Sequence, residues 1–75
     1  MKIVEGMLAP QIDAGTIVTG WNERFAAQGA PLAELTTDGE TFRLSVSSTW
    51  DIASLKQSFE IEVHRVNPKC EVSWV

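Results

Sequence analysis

The sequence predicts an α+β domain, a mostly antiparallel sheet with one main helix packed on one face, in the order β-α-β-β-(short α)-β-β. Three observations predict it. Apolar residues at Ala14, Ile17, Val18, Trp21 and Phe25 recur every three to four positions, the spacing of a helix face. Asp38-Gly39 stands between two β-prone runs as a hairpin signal. Long stretches elsewhere alternate apolar and polar residues with the period of two that marks a strand.

The first element is "KIVEGML", an imperfectly alternating strand. Pro10 and Asp13 punctuate the chain before the helix, and Gly29 and Pro31 end it in the usual order, glycine just past the last turn and proline shortly after. Gly15 and Gly20 each cost about 1 kcal/mol relative to alanine inside a helix, which moves its expected start toward Thr19. In "PLAELTTDGETFRLSV" a two-residue type I′ turn at Asp38-Gly39 sets Thr37 opposite Glu40. That register pairs Leu35 with Phe42, Ala33 with Leu44 and, on the other face, Glu34 with Arg43.

From Phe42 the alternation continues through Leu44, Val46, Ser48 and Trp50. A rival pattern caps a helix at Ser48 or Thr49 and uses Ile52, Leu55 and Phe59 as its apolar side. The reading adopted is a strand to about Trp50 followed by a short helix to Gln57. A final hairpin then carries Phe59, Ile61 and Val63 in one arm and Val72 and Trp74 in the other, turning at Asn67-Pro68-Lys69.

Seventy-five residues form one domain, because so short a chain cannot divide its apolar residues between two cores. At 44% the apolar share is that of a folded protein. One cysteine excludes an intramolecular disulfide, and no paired Cys/His spacing suggests zinc. The opening apolar run is interrupted by Glu5 and does not read as a signal peptide, and no segment has the ~20 apolar residues that span a bilayer. The expected setting is cytoplasmic and reducing.

Ten acidic against six basic side chains leave a net charge of -4, and the basic residues are scattered rather than gathered into a phosphate-binding stripe. Direct nucleic-acid binding and membrane association are therefore not expected. The glycines of "GTIVTGWN" are spaced like those of a phosphate loop, but Trp21-Asn22 occupies the place of the required lysine and hydroxyl residue. No cofactor is implied. A Ser/His/Asp triad would have to recruit the lone His64 far from any aspartate, so no catalytic constellation is read.

The hairpin register decides what His64 and Cys70 can do together. It turns Cys70 toward Val63, Val72 and Trp74, and His64 toward Glu60, Glu62 and Ser73, on opposite faces of the sheet. Glu60, Glu62 and His64, with Glu71 on the neighbouring arm, then form an outward acidic patch too widely spaced for more than a two-ligand metal site. Trp50, where strand and connection meet, is the tryptophan expected to be partly exposed and a candidate interface anchor.

These residues predict a small acidic, non-catalytic protein-binding module that docks Glu60, Glu62, His64, Glu71 and Trp50 on a basic surface, with Glu34 and Glu40 as further members of the acidic sheet face. In size and charge alone the chain resembles the small inhibitors that phages and mobile elements encode against host nucleic-acid enzymes. The alternative is a structural subunit of a small homo-oligomer or larger assembly.

Overall fold

Each strand arises where one side of the pleat is apolar and can be covered. The computed structural model describes residues 2–25, 32–47 and 49–75. Strand β1 (Lys2–Ala9) turns Val4 and Leu8 inward, and helix α1 (Ala14–Phe25) buries Ile17, Val18 and Trp21. Strands β2 (Leu32–Asp38) and β3 (Thr41–Ser47) form a hairpin, with Ala33, Phe42, Leu44 and Val46 in the core. Helix α2 (Ile52–Val66) and the short strand β4 (Glu71–Trp74) complete the fold.

The sheet runs β2-β3-β1-β4 with every neighbouring pair antiparallel. Each helix thus links two parallel strands separated by a third, the connectivity of the ferredoxin-like split β-α-β motif. The α+β class and its antiparallel sheet agree with the sequence. Both helices cover the face formed by Val4, Leu8, Phe42, Leu44 and Val46, and among the described residues the opposite face carries no helix.

The expected single main helix and C-terminal hairpin are corrected. Residues 52–66 are one helix of 15 residues, against 12 described residues in α1, and β3 ends at Ser47 rather than near Trp50. Phe59, Ile61 and Val63 satisfy a strand pattern, but Leu55, Phe59, Glu62 and Val63 satisfy a helical one, and those four are the buried residues of α2. Asp51 decides the start. Its carboxylate accepts the Ser54 N–H at 2.7 Å, an N-cap just after the sites first considered, of which Ser48 lies outside the described residues. The turn at Asn67-Pro68-Lys69 does form, with Cys70 N–H donating to the Asn67 carbonyl at 3.0 Å and Lys69 N–H to the Asn67 side chain at 3.0 Å. It joins helix to strand, not strand to strand.

Helix α1 begins at Ala14, not near Thr19, because Asp13 caps it: its carboxylate accepts Gly15 N–H at 3.0 Å and the Thr16 hydroxyl at 2.8 Å. The expected terminators Gly29 and Pro31 lie outside the described residues. In the hairpin, Asp38 pairs with Thr41, so the two turn residues are Gly39 and Glu40 rather than Asp38 and Gly39. Gly39 has φ +64 and no non-glycine residue among those described has positive φ, which matches a type II′ turn with glycine first and excludes type I′. Opposite Leu35 stands Leu44, and Arg43 faces Thr36 instead of Glu34. The shift moves each partner by two residues, so the side chains predicted to face the core still do.

Aromatic contacts bind the layers. Phe59 of α2 meets Trp21 of α1 (5.4 Å between centroids), Phe42 of β3 (5.3 Å) and Trp74 of β4 (5.8 Å). The buried Trp21 indole donates to Ser58 Oγ at 2.9 Å.

Two predictions follow from this packing. Phe59→Ala should cost about 3–5 kcal/mol, a large share of the ~4–11 kcal/mol expected for a chain of this size, whereas Ile61→Lys, at a position 52% exposed, should change stability by no more than about 0.5 kcal/mol. Urea unfolding measures both; a core strand at 59–63 would make the two comparably damaging. The second prediction concerns acid. The Ser54 N–H holds the Asp51 carboxyl below its ordinary value of 3.8, so the ion's contribution is complete above that value and is lost as pH falls through the lower folded pKa. Asp51→Asn keeps a cap that does not titrate. A pH series of thermal melts should therefore show a shallower loss in the variant as pH falls below about 4, the remainder including the similarly lowered Asp13.

Candidate partner-binding surface

The predicted acidic patch is taken apart by the helix. In a strand Glu60, Glu62 and His64 would share one face. At 3.6 residues per turn Glu60 and His64 remain neighbours, and Glu62 rotates to the opposite side. Glu62 is buried, 6% exposed, and its carboxylate accepts Arg24 Nε–H at 3.0 Å, with Arg65 Nε at 3.9 Å. Gly20 makes room for it, since a Cβ there would stand 3.2 Å from Glu62 Oε1. This ion pair ties α2 to α1 and is unavailable to a partner. Glu60 is half-buried and His64 exposed, both on α2, while Glu71 is exposed on β4.

His64 and Cys70 do meet, but not as a chemical pair. His64 Nε2 lies 3.0 Å from the Cys70 carbonyl, and because a carbonyl only accepts, that nitrogen carries the proton. The thiol itself is buried and donates to the Pro10 carbonyl at 3.4 Å. Burial pushes its pKa up, the reverse of what a nucleophilic thiolate needs. The sulfur points inward and the ring lies at the surface, as the sequence led one to expect, although a helix-to-strand turn rather than a hairpin separates them. Among the described residues no three His, Cys, Asp or Glu side chains cluster to hold a metal ion. Nor is any helix of the described residues long and apolar enough to cross a membrane.

Trp50 is half-buried, its ring edge-to-face with Phe25 at 5.2 Å between centroids. With Phe25, Ile61 and Arg65 it lines an open groove of about 280 Å³ between the helices. It is thus remote from Glu71 in the fold: Trp50 belongs to the helical layer, and Glu71 points to the opposite face of the sheet.

That helix-free face is the larger surface, and most of its residues were not singled out in advance. The register aligns Glu5 with Arg43 and Thr36, Ile3 with Ser45 and Glu34, and Met7 with Ser73, Thr41 and Asp38, while Ala9 faces Glu71. Arg43 Nε–H donates to Glu5 Oε1 at 2.7 Å, the cross-strand ion pair expected of Arg43 but with a different carboxylate. Ile3 is 54% exposed and Met7 38%. At these outward strand positions the carboxylates of Glu5, Glu34, Asp38 and Glu71 stand against the single guanidinium of Arg43, and no aromatic ring offers a base a stacking platform. The available signal was in β1: Ile3 and Met7 are apolar between the equally apolar Val4 and Leu8, so one apolar set had to face outward.

Comparison with protein-family models, with curated proteins and with solved structures finds no match.

The division between structural and free carboxylates can be measured. Glu62→Ala, which strips the buried partner from Arg24, should destabilise the protein by about 1–3 kcal/mol, and Glu60→Ala by no more than about 0.5 kcal/mol. Equal effects in chemical denaturation would show that the ion pair contributes nothing particular to α1–α2 packing.

Proposed function

We propose that this chain is a non-catalytic protein-binding module that docks the helix-free face of its sheet on a partner with a basic rim around an apolar centre. The observation that carries the reading is the placement of exposed Ile3 and Met7 among Glu5, Glu34, Asp38 and Glu71, with Arg43 the one opposing charge at the described outward positions. Apolar contact supplies affinity at the centre of such a face, and carboxylates at its edge select the sign of the partner and speed its approach. The proposal keeps the acidic sheet face expected from the sequence, with Glu34 and Glu71 in it, and replaces Glu60 and Glu62 with Glu5 and Asp38; Glu40 lies in the turn beside it. His64 and Trp50 lie apart from it. A small inhibitor of a host enzyme that binds nucleic acid is one form of this module, since such enzymes present basic surfaces. The unpaired thiol of Cys70 agrees with a reducing, cytoplasmic setting.

A homo-oligomer would also cover Ile3 and Met7, but apposing two copies of this face sets its excess carboxylates against each other. The variant Ile3→Lys/Met7→Lys tests the choice. Wild type and variant should both be monomers by light scattering, and the variant should retain the wild-type unfolding midpoint within a few degrees and lose a basic partner that wild-type protein captures and that added salt releases. Undiminished capture by the variant would defeat the proposal, and a wild-type dimer dissolved by the two lysines would establish self-association instead.

A further inference from the structure

The edge of the sheet at β2 holds a second, more specific feature. In an antiparallel strand the N–H and C=O of one residue point to the same side and alternate along the chain. Asn22 on α1 shows which side is which. Its side-chain amide donates to the Ala33 carbonyl at 3.0 Å and accepts the Ala33 N–H at 2.9 Å, so it occupies the position a neighbouring strand would take. By alternation the main-chain groups of Leu35 and Thr37 also point away from β3, and among the described residues nothing bonds to them. Asn22 closes the edge at Ala33 and the turn at Gly39-Glu40 bounds it at the other end. Between them lies a slot with two donors and two acceptors, flanked on the helix-free face by exposed Glu34, Thr36 and Asp38.

The occupant is fixed by charge. Two copies of β2 pairing so that both slot residues of each are used would set Leu35 against Thr37 and Glu34 against Asp38, twice, and like charges directly opposite are destabilising. Strand β2 carries no basic residue, so nothing on it offsets these carboxylates. The geometry points to β2 as an acceptor for an extended basic segment of a partner protein, added antiparallel as a fifth strand, with lysine or arginine four residues apart opposite Asp38 and Glu34 and a polar residue opposite Thr36. Main-chain bonds at Leu35 and Thr37 supply the affinity, and the two carboxylates supply the choice of sequence. The inference rests on the protein-binding reading but uses the sheet edge, not the face around Ile3 and Met7.

The test titrates the ¹⁵N-labelled full chain with a capped peptide, Lys-Val-Thr-Val-Lys, and with its counterpart Glu-Val-Thr-Val-Glu. The basic peptide should shift the Leu35 and Thr37 amides most and slow their exchange with solvent, and the acidic one should bind at least about tenfold more weakly. Glu34→Lys/Asp38→Lys, two exposed positions whose replacement leaves a dispersed spectrum, should reverse the preference. Ile3→Lys/Met7→Lys should leave edge binding in place, so failure of face docking and failure of edge pairing are read separately. Several outcomes would overturn the assignment: no shift at Leu35 and Thr37 with millimolar basic peptide, equal binding of both peptides, or a β2-to-β2 dimer. Shifts centred on Ile3 and Met7 would also overturn the edge, moving the basic partner to the sheet face and leaving the protein-binding reading intact.

Discussion

Phe59 is the residue through which every layer of this domain communicates. From the middle of α2 its ring touches Trp21 on α1, Phe42 on β3 and Trp74 on β4, so one side chain fixes the height of α2 above the sheet and its distance from α1. A domain of 75 residues has few fully buried positions, and here three of the largest, Trp21, Phe59 and Leu55, come from helices lying over the same face. With no disulfide among the described residues, this aromatic cluster does the work that crosslinks do in many small domains. It also commits one side of the sheet entirely to the core. Of the sheet, only the other side and the edges are left open.

The carboxylates divide along the same line. Asp13 and Asp51 cap α1 and α2, and Glu62 is held between Arg24 and Arg65. These hold the fold. Glu34, Asp38 and Glu71 are exposed on the helix-free side, where nothing in the core calls for them. A modest net charge of -4 thus becomes a locally acidic surface, because Arg24 and Arg65 are held at Glu62 and Lys56 over the ring of Trp74, which leaves Arg43, paired with Glu5, as the one basic residue at the described outward strand positions. The excess on the sheet is a consequence of where the helices place their arginines.

Edge protection and recognition are joined at β2. Glu34 and Asp38 discourage the strand from pairing with its own copy, which is the ordinary use of charge on a sheet edge. Repulsion between identical edges and attraction for a basic one are the same electrostatic fact. Asn22 shows that the edge accepts an amide in the place of a strand, since both its hydrogen bonds to Ala33 have the lengths of a normal ladder.

By itself the sequence determined the features that depend on local chemistry. The period-two stretches of β1 and β3, the apolar stripe of α1, the turn at Asn67-Pro68-Lys69 and the inward side of the hairpin follow from steric and hydrogen-bonding preferences that act within a few residues. It also placed Cys70 inside. The tertiary structure decided what local preference leaves open. Residues 58–66 fit a strand through Phe59, Ile61 and Val63 as well as a helix through Phe59, Glu62 and Val63, and the choice fell to packing: only the helix brings Phe59 against Trp21 and places Glu62 beside Arg24 and Gly20. Those partners are 38 residues or more away in the chain, beyond the reach of any periodicity. The acidic patch expected of Glu60, Glu62, His64 and Glu71 is dispersed for the same reason, because which carboxylates face solvent together depends on which segments become neighbouring strands.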